Sequence, residues 1–400
     1  MPAIDSRRRG VFAALLFSTM GVGTFVALSL GILAVVFIED IGITRAQLGL
    51  VFAVNSVGAA VISPVVGRFT DRMGGRGSLV IVAFASAAAF LVLGLAPSLT
   101  VLVGGSLIGA VAQAGSNPAT NKLIAEDLPP GSQGVVTGIK QSGVQAFVFV
   151  GGVVVPSMAL AWGRLSAYVV FAAFAVSLGV FAMWFLPSSN RSRHVAPDVR
   201  SGRLPSDIWW ITLYGFLLGL SGSVTVLYAL FTTESLGRSI VAGGAVVAVV
   251  GLTAMPARIM WARHAERNHA YRSSLIVIAV LAIGASLTLV LAGFGPWWVI
   301  WLAAVLTGIG PSSWNSVGML GLIVFAGPEA AGRASGVVLS GFLVGLGIGP
   351  PLFGWIVDST GSYTTIWLLS TVASVLGLLT VLLWSPQDRS SNEAAIASDR

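Results

Sequence analysis

Two cations stand inside apolar stretches of this chain with no acid beside them. Arg258 lies within the run 240–262 and Lys140 within the run 134–156. A guanidinium presents paired donors that match the oxygens of a carboxylate or a nitrate-like anion, and an ammonium adds a compact second charge. None of the 15 acidic residues falls in the middle of an apolar run. Glu39, Asp40, Glu126, Asp127, Glu234 and Asp358 stand at run ends, and His194, His264 and His269 stand in loops. A charge at the centre of a bilayer costs about 2.5–3.5 kcal/mol on insertion scales, so it usually faces a cavity and serves a purpose. The plain alternative is that both side chains snorkel to a membrane surface from near their helix ends.

Neutral polar residues accompany them. Thr137, Gln141 and Gln145 recur at i, i+4 and i+8 beside Lys140 and form a stripe on one helix face. Asn117 and Asn315 occupy equivalent places in the two halves of the chain, and Trp314 adjoins the second. Intramembrane Asn can equally stitch helices together, for about 0.6–2 kcal/mol. Asn55 and Tyr214 complete the candidate substrate-binding set, whereas Trp209, Trp210, Trp297 and Trp298 read as an interfacial belt. The glycines of 341–351 lack the Lys-Ser/Thr and the strand of a phosphate loop, so they read as close helix packing.

The elements that must position these residues are apolar segments. Hydrophobic residues make up 56% of the chain and charged residues 9%, against about 45–50% and 25% in soluble domains. Such a surface must face lipid. Segments long enough to span a bilayer fall at 11–37, 47–67, 78–95, 99–122, 134–156, 166–186, 208–233, 240–262, 273–293, 297–326, 334–356 and 364–384. The first is too long for the apolar core of a signal peptide and is expected to be retained. Thr44-Arg45-Ala46-Gln47 fits a helix cap with Gln at the third helical position. No cysteine is present, which excludes disulfides and thiolate chemistry.

The polar run Gly67-Arg68-Phe69-Thr70-Asp71-Arg72-Met73-Gly74-Gly75-Arg76 separates the second and third segments. Its glycines allow a tight reversal. A weaker copy, Ala262-Arg263-His264-Ala265-Glu266-Arg267, closes the eighth segment. At one constant offset Asn117 falls on Asn315, Gly134 on Gly332, Gly138 on Gly336 and Ser142-Gly143 on Ser340-Gly341, so the chain is built twice. With the N-terminus inside, Arg7, Arg8, Arg9, Arg68, Arg72, Arg76, Arg191, Arg193, Arg200, Arg203, Arg263, Arg267, Arg272, Arg333, Arg389 and Arg400 share the cytoplasmic side. Only Arg45, Arg164 and Arg238 lie opposite, a strong orientation signal. That placement of the cations also turns the net charge of +7 into a statement about topology and excludes nucleic acid as a partner.

Gly67, Asp71, Arg72, Gly75 and Arg76 resemble the loop between helices 2 and 3 of the major facilitator superfamily (MFS) of secondary transporters. The resemblance implies an all-α membrane protein of twelve transmembrane helices in two pseudo-symmetric six-helix bundles. The expected division is an N-terminal bundle over 1–186, a cytoplasmic linker over 187–207, a C-terminal bundle over 208–386 and a cytoplasmic tail over 387–400. Substrate would be held near the midplane between the halves. The resemblance also implies that Asp71 meets the N-terminus of the eleventh helix near Gly332-Arg333-Ala334 when the cytoplasmic side closes. Glu126 or Asp127 would receive Arg72 or Arg76. Gly67, Asp71, Arg72, Gly75, Arg76, Arg263, Glu266, Arg267 and Arg333 thus form the expected gating set.

Arg258, eight residues before Glu266, is placed like the helix-8 arginine of anion carriers such as the nitrate/nitrite porters. Helix 5, which carries Lys140, is the repeat partner of helix 11, where oxalate carriers place a substrate lysine. Ala254 stands where monocarboxylate proton symporters keep an Asp. Gly105 replaces the usual helix-4 cation and Gly151-Gly152-Val153-Val154-Val155-Pro156 replaces the antiporter signature, which weakens a proton-driven drug-efflux reading. The stretches 117–122 and 336–342 resemble bacterial members near the cyanate/nitroimidazole porter group.

The reading is therefore a carrier of a small anionic solute working by alternating access, with no enzymatic activity, no cofactor and no metal site. Its expected setting is the bacterial inner membrane, as a monomer with both termini cytoplasmic. The lipid bilayer and a small-molecule substrate are its expected partners. The alternative is a drug-type carrier of a neutral or cationic compound, in which Arg258 and Lys140 are structural.

Overall fold

The structure is a computed structural model that describes residues 6–128, 133–187, 204–326 and 331–385. Backbone groups inside hydrocarbon find no water, so each apolar segment closes its own hydrogen bonds as a helix. Span 1 is Ser6–Ile32 followed by Ala34–Ile41. Spans 2 and 3 come from Arg45–Leu95, and spans 4, 5 and 6 are Leu99–Asp127, Gln133–Trp162 and Arg164–Phe185. Span 7 joins Ser206–Gly222, Ser223–Leu227 and Tyr228–Glu234, and spans 8 and 9 are Ile240–Arg267 and Tyr271–Phe294. Span 10 joins Val299–Ile309, Pro311–Ser313 and Trp314–Ala326, and spans 11 and 12 are Ala331–Thr360 and Thr364–Leu383.

Arg45–Leu95 contains 51 residues, more than twice the roughly 20 needed for one crossing. Gly74 interrupts it with φ 80° and ψ 168°, a conformation open to glycine and strained for other residues. The reversal expected from the polar run is thus concentrated at one residue. Twelve crossings result among the described residues. The next glycine does a different job: a Cβ on Gly75 would lie 2.5 Å from Leu123, so it lets span 3 start hard against span 4.

Three spans expected to be continuous are broken. Span 1 steps at Leu33, span 7 passes through a 3-10 turn, and span 10 is interrupted at Gly310 before Pro311, which carries no N–H. Periodicity could not show these breaks, because residues on both sides are equally apolar. The Thr44 cap is as expected: its hydroxyl accepts from the Gln47 N–H while its own N–H donates to the Gln47 side chain.

The spans form two six-helix bundles that meet along two glycine-lined seams. Span 2 runs antiparallel to span 11, where a Cβ on Gly49 would lie 2.3 Å from the Pro350 backbone and one on Gly354 2.5 Å from that of Arg45. Span 5 runs antiparallel to span 8, with Gly152 against Gly244 and Gly251 against the Gln145 carbonyl. The first seam does not stay closed along its length. Val57 touches span 11 beside Gly347, yet Val61 and Val65, one and two turns further along the same face, are 71% and 58% exposed. Along this seam the halves are therefore joined at the end carrying Arg45 and parted towards the end carrying Asp71. Residues 188–203 of the expected linker and all of the expected tail lie outside the described residues.

Candidate functional site at the joint between the halves

Span 4 places Asn117, Thr120 and Asn121 at i, i+3 and i+4, hence on one face. That face meets Lys140 of span 5, whose side chain is 0% exposed. The Lys140 Nζ donates to Thr120 Oγ1 at 3.0 Å, to Asn117 Oδ1 at 3.4 Å and to Asn121 Oδ1. An ammonium has three donors, and here three side-chain oxygens receive them. A buried charge without a counter-ion persists only when its hydrogen bonds are met in this way.

Asn117 Oδ1 also accepts from Gln141 Nε2 at 3.1 Å. The backbone carbonyl of Gln141 in turn accepts from Arg258 Nη1 at 3.3 Å, across the seam from span 8. Arg258 Nε donates to the Ser312 carbonyl at 3.0 Å. That carbonyl is free for a side chain because span 10 breaks at Gly310–Pro311; Trp261 Nε1 takes another freed carbonyl, that of Ile309, at 2.7 Å. A continuous polar chain thus runs Thr120–Lys140–Asn117–Gln141–Arg258–Ser312 through four spans of both halves. Neither cation forms an ion pair with a described acidic residue.

Of the expected binding set, Arg258, Lys140, Asn117 and Gln141 come together. The others do not join them. Asn55 is fully buried and donates to the Ser106 carbonyl at 3.1 Å, tying span 2 to span 4. The Tyr214 hydroxyl donates to the Leu275 carbonyl at 2.7 Å, tying span 7 to span 9. Trp314 is buried in the core of the second half against Tyr214 and Phe342, with Gly215 and Gly318 fitted around it. Asn315, the symmetry mate of Asn117, makes no side-chain hydrogen bond among the described residues. Thr120, Asn121 and Ser312 escaped the sequence reading. The spacing of the first two with Asn117 was a usable signal; a freed backbone carbonyl leaves none.

The gating contacts that the resemblance implies belong to a closed cytoplasmic side, and here the seam is open beside Val61 and Val65, towards the end carrying Asp71. Asp71 is 70% exposed at its side chain and pairs with Lys122 of its own half at 3.7 Å. Glu126 also faces Lys122, at 3.9 Å, instead of an arginine of the loop. Arg76 donates to the Met183 carbonyl at the end of span 6, where the helix dipole favours a cation. Gly67 has open space around its Cβ position. Arg72, Arg263, Glu266 and Arg267 are exposed and Arg333 is half-buried.

Two six-helix bundles thus meet along two seams, and a polar chain crosses one of them. The Major Facilitator Superfamily model matches residues 12–310 and 213–400, and the chain belongs to that family of transporters, which are not enzymes. It is 25% identical over 394 residues to the probable sulfoacetate transporter SauU of Cupriavidus necator, with 87% of each chain covered. It is 27% identical over 409 residues to the probable nitrate/nitrite transporter NarK2 of Mycobacterium tuberculosis, covering 97% of this chain and 100% of that one. It is also 24% identical over 354 residues to the multidrug resistance protein MdtG of Enterobacter lignolyticus, covering 84% and 83%. A solved bacterial homologue of the human lysosomal transporter Spinster, in an inward-facing and occupied conformation, shares the fold. Its TM-score is 0.76 at 16% identity, over 96% of this chain and 100% of that one.

Proposed function

We propose that the protein moves a small organic or inorganic anion across the bacterial inner membrane by alternating access, with Arg258 as the cargo's main contact. The observation that carries this reading is the polar chain joining two cations through Asn117 and Gln141 with no described acid paired to either. An anion arriving there supplies the missing countercharge. Arg258 uses two donors on backbone carbonyls out of the five a guanidinium has. The remainder suits a bidentate carboxylate, sulfonate or nitrate. Lys140 supplies a fixed positive field from behind Asn117, and Asn117 and Gln141 offer neutral hydrogen bonds.

The names of SauU and NarK2 agree with an anionic cargo. The arginine-rich face is assigned to the cytoplasm, so the parted end opens inward, the linker and both termini are cytoplasmic, and a monomer suffices. The likeness of 117–122 and 336–342 to the cyanate/nitroimidazole porter group is part of the same reading. A second reading, a neutral or cationic drug-type cargo, has the MdtG likeness and the saturated donors of Lys140 in its favour. Thermal-shift measurements on purified protein against nitrate, sulfoacetate and tartrate separate the two. At least one anion is expected to raise the melting temperature of the native protein and to leave Arg258→Gln unmoved. Equal shifts in both proteins, or shifts only with neutral and cationic compounds, favour the second reading.

A further inference from the structure

The end of the molecule that carries Arg45 holds a charge cluster that no motif announces. Arg45, the first residue of span 2, donates from Nε at 3.0 Å and from Nη2 at 2.8 Å to the two carboxylate oxygens of Glu234, the last residue of span 7. Its Nη1 donates to Asp358 Oδ1 of span 11 at 3.0 Å. A paired fork of this kind is among the stronger polar contacts proteins make. Asp358 does more than neutralise the guanidinium. Its carboxylate also accepts from the backbone N–H groups of Arg45, at 3.3 Å, and Ala46, at 2.9 Å. Those are orphan donors at the positive end of span 2, so an acid of one half caps a helix of the other.

The Tyr363 hydroxyl, in the turn before span 12, donates to Glu234. Burial first, and Glu234 second, hold that phenol's proton well above the ordinary tyrosine range, so it remains a donor. Gly354 brings the span 11 backbone against that of Arg45 and Ala46 beneath the cluster. Every polar contact named here except the tyrosine's crosses from the first half to the second.

We propose that Arg45, Glu234, Asp358 and Tyr363 form the latch that shuts this face of the carrier, and that releasing it is the step that opens a vestibule on this same face. At the other face Asp71 pairs inside its own half, and the seam beside Val61 and Val65 is open. The latch therefore sets the balance between the two open states, because a carrier's preference follows the difference in contacts each state makes. Two acids share one guanidinium, so loss of Arg45 undoes the cluster, whereas loss of one acid leaves the other attached.

The absence of native cysteine makes the test clean. Ser56 is fully buried on span 2, near the would-be Cβ of Gly347 across the seam, and Ser56→Cys is close to isosteric. Ser86, fully buried on span 3, provides the control as Ser86→Cys. The rate of labelling by a water-soluble maleimide is measured on purified protein in each background. Ser56→Cys alone should react slowly. Added Glu234→Gln or Asp358→Asn should speed it several-fold and Arg45→Gln by roughly tenfold or more, within the usual range of conformational coupling. Ser86→Cys should stay unreactive throughout. Fast labelling of Ser56→Cys with the cluster intact, no acceleration in any folded variant, or equal acceleration at Ser86→Cys would overturn the latch. Glu234→Gln serves where a span 2 variant fails to fold, since it leaves the Asp358 cap in place.

Discussion

The two intramembrane cations are built into opposite situations. Lys140 belongs wholly to the first half, with no exposed surface and three side-chain oxygens around its ammonium. Arg258 belongs to the second half, is part-exposed, and touches two backbone carbonyls, one of them across the seam. One charge is locked into a cage that moves with its own bundle. The other bridges surfaces that must separate when the carrier changes state. Sequence gives both the same description, a cation in an apolar run, and only geometry shows that one is a fixture and the other a contact.

The difference can be broken from either side. The largest expected effect on stability is at the cage: Lys140→Met leaves Asn117, Thr120 and Asn121 without their shared donor. It should cost on the order of 3 kcal/mol, read as a clear fall in apparent melting temperature. An unchanged melting temperature would mean that the cage is not holding the ammonium. A smaller contrast sharpens the same point between the symmetry mates. Asn117→Ala removes the acceptor shared by Lys140 and Gln141 and should lower stability by about 1–2 kcal/mol. Asn315→Ala removes no hydrogen bond seen here and should stay within about 0.5 kcal/mol of the native protein. Matching losses at the two positions would dissolve the distinction between the halves.

Much of the architecture was legible because hydrocarbon imposes a strict rule on backbone groups. Length and apolarity were enough to place the crossings, and the glycine of the polar run marked the turn between spans 2 and 3. The breaks in spans 1, 7 and 10 were hidden, since a helix and a 3-10 turn of equal apolarity look alike in composition. For the candidate site, Lys140, Asn117, Gln141 and Arg258 could be singled out because lipid makes polar residues conspicuous. The same rule drew in Asn55 and Tyr214, whose polar atoms tie neighbouring helices together. Tyr214 and Trp314 also fill the core of the second half. The Arg45 cluster was out of reach, because its partners stand 189 and 313 residues away in the chain. Each of its acids, taken alone, is an ordinary helix-end charge.

Counterflow in proteoliposomes tests the central claim most directly. Vesicles loaded with an anion that raises the melting temperature of the native protein should take up the labelled anion through that protein. Vesicles carrying folded Arg258→Gln should lose roughly tenfold or more in uptake at subsaturating anion, as expected when a charged hydrogen bond to the cargo is removed. Equal counterflow through both proteins would contradict the assignment of Arg258 as the anion's contact.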